Sequence, residues 1–262
     1  MCCFSRPVRF VADTNIFARA LDDGRQALVY EMTIEANEPL AMILPLPVPI
    51  GCGDEAVRFV DLQGYASFFA EVRKGFPIEY LPQPQSFGPP SRAMLRPKTL
   101  QVHAVGKFEA SFVPTIADFN RLDARFRLPT EVWGKIPRYT DYGFAVFQLR
   151  VGKGVLGRLF GKVKKETIHP MAFVFPRRDP TTIFYPTVHV HDGEVHAEAN
   201  FDHTLYGQFP VQSVPSGWQT STAAASAFLD EDRAQGMVDG AMYMHRSSMK
   251  GKLKNDDVVI PV

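Results

Sequence analysis

Several features that mark other protein classes are absent from this 262-residue chain. The first residues, "MCCFSRPVRF", contain no apolar segment of the kind that forms a secretory signal. No run of 18 apolar residues is present, which excludes a transmembrane helix. The formal net charge is only +1, so a general nucleic-acid binder is excluded as well. We therefore expect a cytoplasmic protein with no transmembrane segment and no nucleic-acid partner.

Cysteine is also scarce, with Cys2, Cys3 and Cys52 as the three examples. Adjacent cysteines rarely bridge each other, and an odd number cannot pair completely. The pattern therefore excludes a disulfide framework and favours reduced thiols in a cytoplasmic protein.

Phenylalanine and proline, by contrast, are frequent, with 21 of each. Aromatic residues favour strands, and prolines favour the loops between strands. We expect an α+β, β-rich fold in which antiparallel hairpins form a sheet or barrel-like core with a few short helices. The length fits one domain over residues 1–262, and the proline-rich connection 77–97 is the one candidate boundary.

Individual elements can be predicted from local patterns. Residues 7–36 predict a hairpin, because "DDGR" joins two β-rich runs. Residues 54–76 have apolar residues near helical spacing, which predicts two short helices divided by Gly64. The alanine-rich stretch 221–234 predicts another helix, and the apolar last residues predict an edge strand.

Four of the seven histidines lie between Pro186 and His203, and three of them surround an Asp-Gly pair in "HVHDGEVH". Asp192-Gly193 is a signal for a two-residue hairpin turn. In that register His189 lies opposite His196, with Cβ atoms roughly 4.5–5.5 Å apart. Strand alternation then places His189, His191, Glu194 and His196 on one face.

This face predicts a transition-metal site. His189, His191 and His196 would be its ligands, His203 a fourth, and zinc or copper the ion. Cys2 or Cys3 could add a thiolate. Three protein ligands would leave a position for water or a small-molecule substrate, with Glu194 as a general base. The same alternation would also arise on a solvated polar face, and that interpretation stays open.

A second hypothesis concerns Cys2. Removal of the initiator methionine would place its thiol beside a free α-amine, a nucleophile–base pair. With "IFARALD" this start resembles the N-terminal-nucleophile amidases of the choloylglycine-hydrolase type, since Arg19 and Asp22 keep an Arg-x-x-Asp spacing. The resemblance covers about 22 residues, and Ala18 and Ala20 replace the Gly and Asn of that pattern. It implies amide hydrolysis with Cys2 as the catalytic residue.

A third hypothesis concerns the basic loop 152–165, "GKGVLGRLFGKVKK". Its glycines do not match the spacing of a phosphate-binding loop. Apolar side chains accompany the lysines and the arginine, so the loop is a candidate contact for an acidic partner in a non-enzymatic interaction protein. A solvated surface loop is the alternative interpretation.

Overall fold

A computed structural model describes residues 2–8, 10–35, 38–77, 109–149 and 166–262 of the chain. Their strands are β1 (Cys2–Phe4), β2 (Phe10–Ala20), β3 (Arg25–Glu35), β4 (Leu40–Leu46), β5 (Arg58–Asp61), β6 (Glu109–Val113), β7 (Gly143–Leu149), β8 (Glu166–Pro176), β9 (Thr182–Tyr185), β10 (His189–Val190), β11 (Glu198–Gln208), β12 (Gln219–Ala224), β13 (Tyr243–Lys254) and β14 (Val258–Pro261). The α-helices are α1 (Phe68–Lys74), α2 (Thr130–Lys135) and α3 (Glu231–Ala234). The predicted strand-rich α+β class, with a few short helices, is confirmed.

The larger sheet has seven strands in the order β12-β13-β11-β2-β3-β8-β5. Its pairs are antiparallel except for β11 and β2, which run parallel. The hairpin predicted over residues 7–36 is confirmed as β2 and β3. Gly24, with φ of +79°, supplies the left-handed turn residue that this connection requires.

The smaller sheet has five strands in the order β10-β1-β4-β7-β6. Its first strand, β1, lies between two others, antiparallel to β4 and parallel to β10. A separate two-stranded ribbon pairs β14 with β9, which confirms the predicted edge strand at the end of the sequence.

Three apolar clusters hold these layers together. One lies between the seven-stranded and the five-stranded sheet and includes Leu28, Tyr30 and Phe173. A second lies on the far face of the seven-stranded sheet beneath α1 and α3, and a third packs the far face of the five-stranded sheet against α2. Because both faces of each sheet are covered, strands such as β4 are apolar along their whole length instead of alternating.

Two helix predictions were wrong in part. Within residues 54–76, only α1 and a short 3-10 helix, Gln63–Tyr65, are helical, and β5 instead pairs with the edge of β8. Within residues 221–234, β12 pairs with β13 before the short helix α3. In both segments strand pairing with a neighbour outweighed the local helix preference.

The candidate boundary 77–97 lies outside the described residues except for Pro77, and the single-domain hypothesis stays a prediction. No helix in the described ranges has both the length and the apolar character to cross a membrane.

Candidate functional site around the histidine cluster

The N-terminal strand is built into the interior of the five-stranded sheet. Cys2 pairs with His189 and Cys3 with Val190, and the Cys3 side chain is fully buried. The Ser5 hydroxyl donates to the carbonyl of Arg125 and accepts from the amide of Ala41, both at 2.9 Å. This strand therefore positions His189 of β10 through backbone pairing.

The predicted hairpin at Asp192-Gly193 is wrong. β10 contains only His189 and Val190, and its partner is β1, so His189 and His196 do not pair across a turn. Local turn chemistry is nevertheless present. Gly193 has φ of +83°, and the Asp192 carboxylate accepts a hydrogen bond from the Glu194 amide.

Asn255 supplies the hydrogen bonds that a returning strand would have made. Its carboxamide oxygen accepts from the amide of His189 at 2.7 Å. Its Nδ2 donates to the carbonyls of His189 and His196, each at 2.9 Å. This side chain was missed in the sequence because it lies about 60 residues after the segment that it holds, and no local pattern marks it.

Three histidines converge beside Phe4 and Phe201. His189 stacks on His191 with ring centroids 4.5 Å apart, which confirms that these two share a face. The Nε2 atoms of His189 and His203 are 3.3 Å apart. His203 comes from β11 of the other sheet, so the cluster joins the two sheets.

The environment of this cluster is apolar. His189 stacks on Phe201 at 4.4 Å, and His191 lies 5.5 Å from Phe4. Burial lowers the pKa of His189 to about 3 and that of His191 to about 4, and it holds the pKa of His203 well below its ordinary value. All three imidazoles are therefore neutral near pH 7.

The other two predicted site residues face solvent. His196 Nε2 contacts the Asp192 carboxylate at 2.8 Å, and both side chains are more than half exposed. Glu194 forms an exposed ion pair with Lys135. Neither side chain joins the buried cluster, because the segment after Asp192 turns outward instead of pairing with β10.

The predicted metal centre is therefore wrong in its geometry. In the described ranges, no three His, Cys, Asp or Glu side chains form a group that could hold a metal ion. His191 stacks on His189, His203 approaches His189 through the two Nε2 atoms, and His196 lies outside the cluster on Asp192. Whether zinc or copper binds the protein in another way stays a prediction.

The residues of the amidase hypothesis are not assembled either. Cys2 belongs to the five-stranded sheet, whereas Arg19 lies near the end of β2 in the seven-stranded sheet. The Arg19 guanidinium donates to the carbonyl of Gly236 and lies 3.5 Å from the Asp239 carboxylate. Arg19 thus ties β2 to the segment after α3. Individual catalytic roles for Cys2 and Glu194 stay predictions without a direct test.

The third hypothesis placed the function in the basic loop 152–165, with an acidic partner. That loop lies outside the described residues.

Comparison with known proteins gives a structural likeness without a sequence likeness. No protein-family model and no curated protein sequence matches the chain. The crystal structure of baculovirus P35 matches 97% of this chain and 97% of that chain, with 14% identity and a TM-score of 0.50. A mutated baculovirus P35 after caspase cleavage matches 95% and 99% of the two chains, with 14% identity and a TM-score of 0.45. The caspase-8/P35 complex matches 96% of each chain, with 13% identity and a TM-score of 0.44.

These findings correct the predicted function. The leading hypothesis, a metal-binding protein or metal-dependent enzyme, is wrong, because its ligand set does not form in the described part of the chain. The small-molecule substrate predicted for that centre loses its basis. Of the residues of the amide-hydrolase alternative, Cys2 and Arg19 lie in different sheets. The arrangement of sheets along nearly the whole chain is similar to that of baculovirus P35.

Proposed function

We propose that this chain is a non-enzymatic protein ligand of a caspase-type cysteine protease. The observation that carries this proposal is the shared fold with baculovirus P35 over 97% of both chains. P35 itself has been solved in a complex with caspase-8. The proposal rests on analogy of fold, because function depends on the residues of a site and the two chains share 14% identity.

The described elements suit a ligand that must keep its shape beside a protease. Phe68, Phe69 and Val72 of α1 are fully buried under the seven-stranded sheet. Val113 of β6 is buried, and β6 pairs with β7 along its length. Helix α1 and strand β6 are each anchored in the folded body. We therefore expect that a cut in the chain between α1 and β6 would leave both fragments in that body.

Titration of active caspase-8 with the purified chain tests the proposal. We expect the hydrolysis of a fluorogenic peptide substrate to fall in proportion to the added protein, as for a tight stoichiometric complex. Size-exclusion chromatography should show the two proteins eluting together. Intact mass measured before and after the incubation would show whether the chain is cut and would locate the cut.

Two controls make the result specific. Papain, a cysteine protease of another family, should keep its activity in the same titration. Heat-unfolded chain should act only as a competing substrate, with no lasting inhibition. Undiminished caspase-8 activity together with separate elution at concentrations of about 10 μM would overturn the proposal.

The cytoplasmic location predicted from the sequence belongs to this proposal. Cys52 is a free thiol. Free thiols are typical of a reducing compartment.

A further inference from the structure

A polar cleft lies on the seven-stranded sheet, on the face that α1 covers elsewhere. Along β3, Ala27 and Val29 pack beneath the helices, and the next residues on that face are Glu31 and Thr33. The neighbouring strands β2, β11 and β13 change from apolar to polar at the same level. Their same-face residues and Arg73 from the last turn of α1 enclose a cleft of about 610 Å3.

Six charged side chains line this cleft, three of each sign. The cations are Arg73, Arg246 and Lys250, and the carboxylates are Asp13, Glu31 and Asp202. Among the described residues, none of the six forms an ion pair within 4 Å, although twelve other ion pairs occur there. Opposite charges that line one concave surface without pairing with each other provide partners for a ligand that carries both signs.

The cationic end is organised around Tyr206. Arg73 and Arg246 line the cleft beside it, and their charges oppose the rise that burial causes in the pKa of the Tyr206 hydroxyl. Arg246 is further fixed, since its Nε donates to Gln219 Oε1 at 3.1 Å and its guanidinium lies 4.5 Å from the centre of the Phe76 ring. Two guanidinium groups and a phenol make a set of donors suited to a carboxylate or a phosphate group.

The floor and the opposite end are acidic. Glu31 is only 7% exposed, and Asn15 Nδ2 donates to its carboxylate at 3.5 Å. Burial raises the pKa of Glu31 to about 7, so a protonated carboxyl can itself donate to an anion at neutral pH. Asp13 and Asp202 are exposed beside each other, with the Asp13 amide donating to the Asp202 carboxylate. Lys250 lies across from Asp202 on β13, so two carboxylates and one cation occupy this end. Because the carboxylates outnumber the cation, a further cationic group would be favoured there and a polyanion would be repelled.

We propose that this cleft binds a small zwitterion. The anionic group contacts Arg73, Arg246 and Tyr206, and the ammonium group lies toward Asp13 and Asp202. The proposal is independent of the protease partner proposed above, because binding is measured on the chain alone.

Calorimetric titration with four named probes tests it. Two are zwitterions, O-phosphoethanolamine with a phosphate head and 4-aminobutyrate with a carboxylate head. Two are their ammonium-free analogues, ethyl phosphate and butyrate. We expect at least one zwitterion to bind, roughly tenfold tighter than its analogue, because the ammonium group gains a charge-assisted contact. Comparison of the two zwitterions shows whether the site prefers a phosphate or a carboxylate group.

Variants connect the binding to the cleft. Arg246→Gln and Arg73→Gln should each weaken it by roughly tenfold or more, since each removes a charged donor. Arg58→Gln, the same change on the exposed edge strand β5, should leave it unchanged. Two arginine variants are used so that one remains informative if the other unfolds. The proposal would be overturned if neither zwitterion binds at about 10 mM, or if the ammonium-free analogues bind equally well. Unchanged binding in both cleft variants would also overturn it.

Discussion

The Nε2 atoms of His189 and His203 lie 3.3 Å apart, and both side chains are buried between the two large sheets. At this distance one ring donates its N–H and the other accepts it, which requires the accepting ring to be neutral. A proton added to either ring would place a charge in an apolar site, and a proton on the accepting Nε2 would also end this interaction. The fold therefore depends on the neutral form of these histidines.

The free energy of unfolding should fall as the pH is lowered from about 6.5 toward 4. The folded-state pKa values of His189 and His191 are lowered to about 3 and 4, whereas exposed histidines in the unfolded chain titrate near 6.5. The unfolded state therefore binds more protons in this window, and stability is lost with falling pH. Urea unfolding at a series of pH values measures the slope.

His191→Phe should reduce that slope, because it removes one buried group that resists protonation and leaves a ring that can pack against Phe4. His196→Gln is the matched control, since its side chain is exposed and its change should leave the slope as it was. Equal slopes in the wild type and His191→Phe would contradict this explanation.

Asn255→Ala should lower the free energy of unfolding by about 2–4 kcal/mol. The change removes three hydrogen bonds to the backbone of His189 and His196 and leaves buried polar groups without partners. Chemical denaturation measures the loss. Asn200→Ala, an exposed position on β11, should change stability by less than about 0.5 kcal/mol. A similar loss in both variants would indicate that the carboxamide contacts contribute little.

The Asp257 carboxylate should be a second structural centre. It accepts from the Tyr139 hydroxyl at 2.6 Å and from the amides of Thr187 and Val188 at 2.9 and 3.1 Å. Asp257→Ala should cost about 3 kcal/mol, because these donors lose a charged acceptor. A double-mutant cycle with Tyr139→Phe should show a coupling of about 1–2 kcal/mol. Asp256→Ala, whose carboxylate forms exposed ion pairs, should cost much less.

Glu31→Gln should stabilise the protein at pH 8 by about 1–3 kcal/mol and have little effect at pH 4. Burial raises the pKa of Glu31 from 4.5 to about 7, so the folded state binds more protons between these values. Stability contributed by the protonated carboxyl is present below about 4.5 and is lost as the pH rises through 7. Thermal unfolding of both proteins at pH 4 and pH 8 checks the sign, and a variant that is destabilised at pH 8 would contradict it.

The elements that the sequence predicted correctly are those whose partners are close in the chain. The β2–β3 hairpin needs only one turn, and Asp23-Gly24 supplies its chemistry. The same dipeptide at Asp192-Gly193 makes a turn without a hairpin, because β1, nearly 190 residues earlier, takes the place beside His189. Local patterns describe the turn, and they do not include a competing strand that is distant in sequence.

The candidate sites also depend on residues that are distant in sequence, which local patterns do not include. Alternation correctly placed His189 and His191 on one face, but their actual neighbours, His203 and Phe201, come from a different sheet. The polar cleft collects residues from four strands and one helix. Each of its members has an ordinary local setting, so only the assembled sheet brings the charges together.

The position of β1 has a consequence for how the protein reaches its folded state. During synthesis, β1 can find β4 early, but its other neighbour, β10, follows almost 190 residues later. Joining such distant segments requires the closure of a long loop, and contacts of this kind form slowly. The first strand made should therefore be among the last to become fully enclosed, and until then one of its edges is open to pairing with other chains.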